Sequence, residues 1–208
     1  SWFYFRGEND WYRARPVHPR PEPLLSVEGN SWLMKTSPDE EWLLFQTEVP
    51  DTYWDINLVR FDGSVHRKLT DSDALYRYLT LSPDKSWIYY SSVTIGVHDL
   101  YRMRWDGTDR QLIATDVDDL VFLGWSSDAE WMIIASDLDR QAYIFRIHVD
   151  TGSYEQLGFD RLSYELAHVS PDGEWIVYVT EFQHEIVQMR VNGRDRRVVL
   201  GDGIYNFI

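Results

Sequence analysis

The chain has 208 residues, of which 44% are hydrophobic and 15% aromatic, a composition that excludes a disordered protein and favours an all-β fold. Its formal net charge of −14 disfavours nucleic acid and anionic membranes as partners and favours cationic or neutral ones. The absence of cysteine excludes disulfides and thiolate metal sites, and no apolar run reaches the roughly 18 residues that a membrane span requires.

The predicted elements are short β-strands from the N-terminus onward. Trp2 precedes the apolar run 3–5, and the alternating segment 11–15 follows it. From residue 37 a longer pattern begins and returns at intervals of about 44 residues: a Ser-x-Asp turn, a Trp three residues after the Asp, and a short apolar run. The four turns are 37–39, 82–84, 126–128 and 170–172, and their tryptophans are Trp42, Trp87, Trp131 and Trp175, while Trp2 takes the same place in a shortened first copy.

Each apolar run is followed by a polar loop and a third strand that ends in a tight turn. The turns are Asp62-Gly63, Asp106-Gly107 and Asn192-Gly193, with 150–152 as a longer version. Such pairs favour hairpins because glycine readily adopts positive φ. A fourth strand, and then the first strand of the next copy, complete the unit. Four strands per repeat without a helical period predict an all-β propeller of four-stranded blades, since a β-sandwich would not require so regular a period.

The repeat resembles that of TolB-type β-propellers, through the motif Ser-Pro-Asp-x-x-Trp followed by Tyr-x-x-x-x-Asp-Gly. Residues 82–115 carry the motif most fully, whereas the third copy has Ser127 in place of proline and the first copy lacks Ser-Pro-Asp. The resemblance implies a bacterial, extracytoplasmic binding or scaffolding module. Similar repeats also form oligogalacturonate lyases and the non-catalytic propeller of prolyl-oligopeptidase-type enzymes, so the resemblance specifies a fold rather than an activity.

The repeats divide the chain into one domain of about five blades: 1–28 together with 203–208, then 29–71, 72–116, 117–160 and 161–202. We expect 203–208 to pair with the strand that begins at Trp2, because the two ends together supply four strands and their pairing removes an open sheet edge. The alternative is part of a six-bladed ring, which is the usual size of TolB-like propellers.

The repeated aspartates and tryptophans are expected to be structural. An Asp in a turn accepts hydrogen bonds from backbone amides, and the tryptophans are expected to fill the spaces between blades. The four equivalent turn aspartates are Asp39, Asp84, Asp128 and Asp172.

The candidate binding face combines variable loops with acidic side chains. In a propeller, the loops between second and third strands share one face with the connections between blades, and specificity tends to lie in such loops. The predicted loops are 6–10, 48–54, 91–99, 136–141 and 180–185. The candidate binding residues in the connections are Asp71, Asp73, Asp116, Asp118, Asp119, Asp160 and Asp202. They could attract a cationic peptide, a polyamine or a hard cation such as Ca²⁺, and the alternative is a solvated acidic rim.

His98 and His184 precede Asp99 and Glu185 at the start of the third strand in two copies. They are candidate ligands at the channel mouth if a third ligand lies close by, and otherwise they are surface residues. No nucleophile elbow, phosphate-binding loop or His-Glu-x-x-His sequence occurs. The sequence therefore predicts a monomeric, non-catalytic module that binds a protein or peptide and requires no cofactor. The alternative is a carbohydrate-active, metal-dependent propeller or the accessory propeller of a peptidase.

Overall fold

The computed structural model describes residues 3–6, 10–15, 18–26, 30–37, 39–49, 53–71, 74–117, 120–138, 141–158 and 160–201. Within these residues the regular structure consists of nineteen β-strands, and there is no helix that could cross a membrane. The chain divides into two compact units, residues 1–96 with 101–111 and residues 97–100 with 112–208.

The first unit is built from consecutive antiparallel strands. Its first sheet contains β1 (Phe3–Arg6), β2 (Asp10–Arg15) and β3 (His18–Ser26). The next group is β4 (Ser31–Thr36), β5 (Trp42–Val49), β6 (Tyr53–Arg60) and β7 (His66–Lys68). A further group begins with β8 (Leu75–Leu81) and β9 (Ile88–Thr94) and continues through β10 (Val97–Met103) and β11 (Gln111–Ala114), whose residues are divided between the two units. One parallel pair, Trp54 with Leu75, links the last two groups.

The second unit contains two four-stranded antiparallel sheets. The first comprises β12 (Val121–Trp125), β13 (Trp131–Leu138), β14 (Gln141–His148) and β15 (Tyr154–Gln156). The second comprises β16 (Leu162–Val169), β17 (Trp175–Thr180), β18 (Ile186–Arg190) and β19 (Arg197–Leu200). Each strand pairs with its neighbour in chain order, as propeller blades do.

These sheets confirm the predicted all-β propeller architecture. The number of blades and their boundaries stay predictions. The expected pairing of 203–208 with the strand at Trp2 lies outside the described residues.

In the β12–β15 sheet the second strand is the most deeply buried one. In β13 the side chains of Met132, Ile133, Ile134 and Ala135 are at most 1% exposed. A strand covered on both faces requires a continuous apolar run, which is the pattern seen after each repeated Trp. In β17 burial alternates instead, and Val177 is 40% exposed.

Adjacent sheets pack face to face through apolar side chains. In the first unit a cluster around Leu44, Ile56, Tyr76 and Ile88 joins the β4–β7 group to β8 and β9. In the second unit a cluster around Ile133 and Ile144 joins the β12–β15 sheet to the β16–β19 sheet. Because sheets stack about 10 Å apart with interdigitating side chains, these clusters form the core of each unit.

Gly124 permits a close approach between β12 and β16. A Cβ atom built at this position would lie 2.4 Å from Cβ of Val169. Nonbonded carbon atoms do not come so close, so only glycine fits here without a shift of one strand.

The Ser-x-Asp turns have the same hydrogen bonds in every described copy. In the second copy the amide of Trp87 donates to Oγ of Ser82 at 3.0 Å, and the amide of Ser86 donates to Oδ1 of Asp84 at 2.9 Å. The amide of Ser82 donates to the carbonyl of Trp87 at 3.0 Å and closes the hairpin. The residue after each Asp has positive φ, and these residues are Glu40, Lys85, Ala129 and Gly173.

Candidate functional site

The repeated aspartates are engaged in these turns. Each carboxylate accepts a hydrogen bond from the hydroxyl of the turn Ser and another from a backbone amide two residues later. These two bonds favour the charged form and lower the pKa of the carboxyl from its ordinary value of 3.8. The four residues with a lowered pKa are Asp39, Asp84, Asp128 and Asp172. The geometry thus matches the structural role expected of them.

The four repeated tryptophans that the structure describes are half-buried, and arginines lie over their outer faces. The guanidinium carbon lies 3.6 Å from the ring centroid for Arg104 over Trp87, and 3.9 Å for Arg190 over Trp175. Trp42 and Trp131 also contact the core clusters between sheets. One side of these rings therefore faces the apolar core, as expected, and the other side is covered by arginine.

The covering arginines were missed at the sequence level, although a signal existed. The third strand ends in Arg-x-Asp-Gly or Arg-x-Asn-Gly in three copies, at Arg60, Arg104 and Arg190. An Arg directly across from the Trp of the adjacent strand stacks on the aromatic face, which is attractive electrostatically.

The loops between second and third strands lie at the same end of their sheets as the connections from the preceding strand. The amide of Glu48 donates to the carbonyl of Asn30 at 2.8 Å, and that of Glu181 donates to the carbonyl of Arg161 at 2.9 Å. The amide of Val117 likewise donates to the carbonyl of His98 at 2.8 Å. We call this end of each sheet the loop end. Its loops are shorter than predicted because the strands extend into them; β9 and β10, for example, are joined by Ile95 and Gly96 alone.

The candidate acidic residues are only partly described. Asp71 and Asp116 are exposed, and Asp116 has φ of +60°. Asp160 is half-buried. Four further candidates, Asp73, Asp118, Asp119 and Asp202, lie outside the described residues.

Asp160 forms a polar network at the loop end of the β16–β19 sheet. Its carboxylate accepts two bonds from Arg196, at 2.6 and 2.9 Å, and one from the hydroxyl of Tyr178 at 2.5 Å. Burial opposes the charge, but the bonds from Arg196 and Tyr178 outweigh it and lower the pKa of Asp160. Burial and the adjacent carboxylate together raise the pKa of Tyr178. A ligand at this position would therefore have to share Asp160 with Arg196.

The two histidines occupy different surroundings. His98 is half-buried, whereas His184 is exposed with φ of +54°. Within the part of the chain that the structure describes, no three His, Asp or Glu side chains are grouped so that they could hold a metal ion. A cation site that includes the undescribed aspartates stays a prediction.

Two cavities open near the loop ends. A cavity of about 220 Å³ in the second unit lies beside Asp160 and is also lined by Arg161, Thr180, Phe182 and Gln183. The larger one, of about 310 Å³, lies in the first unit. We call it the aromatic pocket, and it is lined by Trp32, Gln46, Trp54, Tyr76, Arg77 and Tyr78. Sequence reasoning missed it because none of these residues belongs to the repeated motif.

No protein-family model matches the chain. A curated relative, an uncharacterised protein of Agrobacterium fabrum, is 28% identical over 153 residues, which cover 66% of this chain and 50% of the relative. The chain thus spans half the length of that relative. A solved TolB structure from Agrobacterium tumefaciens matches with a TM-score of 0.66 and 20% identity, over 96% of this chain and 78% of that one. An oligogalacturonate lyase in complex with manganese matches with a TM-score of 0.71 and 14% identity, over 86% of this chain and 52% of that one. The similarities show a TolB-like β-propeller fold.

Proposed function

We propose that this TolB-like propeller is a non-catalytic binding module, which recognises a cationic or neutral protein or peptide at its loop ends. The proposal rests on one observation: the repeated Ser, Asp, Trp and Arg side chains are engaged in turns and ring stacking, whereas Asp71 and Asp116, outside the repeated motif, are exposed in the connections. Non-repeated loop residues on a repeated frame are where binding specificity tends to lie.

The charge of these loop ends supports a cationic partner. Asp71 and Asp116 are exposed there, and Asp73, Asp118 and Asp119 are neighbouring sequence positions, while Asp202 belongs to a further predicted connection. With a net charge of −14, the molecule attracts positively charged ligands over distances of about one Debye length, roughly 8 Å at physiological salt.

The test uses a defined library of immobilised peptides that differ only in their content of Lys and Arg. The unmodified protein should retain the basic peptides. A variant with Asp116→Asn, Asp118→Asn and Asp119→Asn should lose most of this binding, and Asn is compatible with the positive φ at position 116. The control removes three charges at the opposite ends of their own sheets, through Glu40→Gln, Asp109→Asn and Glu130→Gln. Equal binding by both variants, or no preference for basic peptides, would refute the proposal.

A second candidate is the propeller of a carbohydrate-active enzyme, and the structural similarity to a manganese-bound oligogalacturonate lyase favours it. This candidate requires a transition metal held by His98 or His184 together with residues outside the described ranges. Elemental analysis of the purified protein after incubation with Mn²⁺ tests it, and a stoichiometric metal that is lost in His98→Ala would favour the enzyme over the binding module.

The extracytoplasmic location and the monomeric state implied by the family resemblance stay part of this proposal. Fractionation of the source bacterium and light scattering of the purified chain test them separately.

A further inference from the structure

The aromatic pocket is built from two adjacent strand groups of the first unit. Trp32 on β4 lies directly across from Gln46 on β5, and Trp54 near the start of β6 is on the same face. Tyr76, Arg77 and Tyr78 of β8 also line the pocket. Strands β5, β6 and β8 share one packed core, in which Tyr76 is 1% exposed, and β4 is joined to them by its pairing with β5. The pocket is therefore formed before any ligand arrives.

Two tryptophan rings dominate the opening. The ring centroids of Trp32 and Trp54 are 6.2 Å apart with their planes inclined by 46°. Trp32 is 58% exposed, although burial of so large an apolar ring is strongly favourable. An exposed Trp beside a second Trp and a cavity is the composition of a binding hot spot rather than that of an average surface.

Tyr78 reaches the pocket through a strained backbone. Its φ is +48°, and among the described non-glycine residues with positive φ it is the one inside a strand. The pairing of β8 with β9 shifts register between Arg77 and Thr80, which marks a β-bulge in β8. A bulge inserts one extra residue into a strand and changes the direction of the side chains there. Left-handed backbone at a bulky residue costs about 1–3 kcal/mol, and such strain tends to be kept where it serves a site.

The polar groups of the lining are mostly hydrogen-bond donors. The side-chain amide of Gln46 donates to the carbonyl of Tyr76 at 2.8 Å and is thus used within the wall. Over the described part of the chain, neither the indole N–H of Trp32 nor that of Trp54 donates to a protein acceptor. Arg77 is exposed, and its guanidinium group adds further N–H donors. Among the described residues that line the pocket, none carries a carboxylate. A complementary ligand therefore has flat apolar faces, many acceptors and few donors.

Proline-rich peptide in the extended polyproline conformation has these properties. Its carbonyl groups point outward and lack internal hydrogen bonds, proline has no N–H, and the rings present flat apolar faces. Aromatic-lined grooves recognise such segments because the peptide is already ordered and loses little entropy on binding. A cationic ligand fits less well, because Arg77 would repel it and the described lining offers no carboxylate to pair with it. A saccharide carries hydroxyl groups, which donate hydrogen bonds as readily as they accept them. It fits less well because this lining supplies few acceptors for those hydroxyl groups.

We propose that the aromatic pocket binds a proline-rich segment of a protein partner, with the segment lying across Trp32 and Trp54 and its carbonyls accepting from the indole N–H groups and Arg77. This inference deepens the proposed binding function, since it assigns the partner's chemistry at one loop end.

The first experiment measures the binding of a fluorescein-labelled decaproline peptide to the whole chain by fluorescence anisotropy, up to about 1 mM peptide. Trp32→Ala should weaken binding about tenfold or more, and Trp32→Phe should retain part of it. Phe182→Ala is the matched control, because Phe182 is 69% exposed and lies in the second unit; its affinity should equal that of the unmodified protein. A circular-dichroism melting curve of Trp32→Ala shows that the fold is kept.

The second experiment distinguishes the alternatives. Tyr78→Gly removes the ring but suits the positive φ, so it should weaken decaproline binding without loss of stability. Absence of decaproline binding, or equal affinity of Trp32→Ala, would overturn the inference. Binding of a neutral oligosaccharide such as maltohexaose that depends on Trp32 would overturn it as well and would assign a saccharide site. Since the Asp116, Asp118 and Asp119 variant retains this pocket, a failure here leaves the proposed acidic recognition untouched.

Discussion

Asp84 illustrates how single side chains hold the repeated turn. Its carboxylate accepts hydrogen bonds from the hydroxyl of Ser82 and from the amide of Ser86. The hydroxyl oxygen of Ser82 in turn accepts a hydrogen bond from the amide of Trp87. The turn is thus closed by one short side-chain network, and Trp87, which directly precedes β9, is fixed relative to it. These contacts explain why Ser, Asp and Trp recur together, since each depends on the other two.

The turn aspartates make stability depend on pH in the acidic range. Their pKa values are lower in the folded chain than the ordinary 3.8, so their contribution is complete above pH 3.8 and is lost as the pH falls through the folded pKa. We expect Asp84→Asn to lower the free energy of unfolding by up to about 1 kcal/mol at neutral pH. The difference should shrink towards about pH 2, as measured by urea unfolding. The control is Asp71→Asn, which changes an exposed residue of a connection and should have little effect on the free energy of unfolding at either pH. If Asp84→Asn still lowers the free energy of unfolding in acid, the charge-based explanation is wrong.

Asp160 makes a separate prediction at the residue scale. Its contacts with Arg196 and Tyr178 join the connection before β16 to β17 and to the turn before β19. Asp160→Asn should therefore destabilise the chain by about 1–2 kcal/mol, whereas Tyr178→Phe should cost about 1 kcal/mol or less because Arg196 keeps its partner. Thermal unfolding of the two variants and of their double mutant measures the coupling. Strict additivity would show that the hydrogen bond between the Tyr178 hydroxyl and the Asp160 carboxylate contributes no coupling energy.

At the scale of elements, the contact between β12 and β16 depends on Gly124. Gly124→Ala places a Cβ atom 2.4 Å from that of Val169, so the strands must separate, and overpacking of this kind costs about 1–3 kcal/mol. Gly158→Ala is a matched control, because a Cβ there meets no atom within 4 Å. Urea unfolding of the two variants should differ by the cost of the clash. The pair Gly124→Ala with Val169→Gly should recover part of the loss; if it does not, the strand contact is not the cause.

The strands and their order could be predicted from the sequence, but the aromatic pocket could not. Repetition of Ser-x-Asp, Trp and Asp-Gly marks turns whose local chemistry is independent of the rest of the chain, so the pattern was sufficient. Trp32 belongs to no repeated position, and Tyr78 reaches the pocket only through a bulge in β8, which depends on its pairing with β9. Asp160 could be located from the sequence, whereas its partner Arg196 lies 36 residues away, so that the ion pair follows from the fold alone.

At the scale of the whole molecule, the net charge of −14 and the aromatic pocket predict two different responses to salt. Binding of a Lys-rich peptide at the acidic loop ends should weaken strongly as ionic strength rises from about 10 mM to 150 mM, because screening shortens the Debye length from about 30 Å to 8 Å. Decaproline is uncharged along its length, so its affinity should change little over the same range. Stopped-flow and anisotropy titrations of both peptides check this. A common salt dependence would mean that the two peptides share one charged site.

The residue after each turn aspartate has the same left-handed backbone conformation in all four turns, but a different side chain in each. Glu40, Lys85 and Ala129 have φ between 56° and 61°, and Gly173 has φ of 70°. The first three carry a Cβ in the left-handed region, whereas a Cβ at Gly173 would lie 2.5 Å from the amide nitrogen of Ser127. The three positions therefore allow a direct comparison within one molecule and one turn geometry. Substituting glycine at one of them at a time, and measuring the free energy of unfolding, would report how much left-handed strain an acidic, a basic and a methyl side chain each impose.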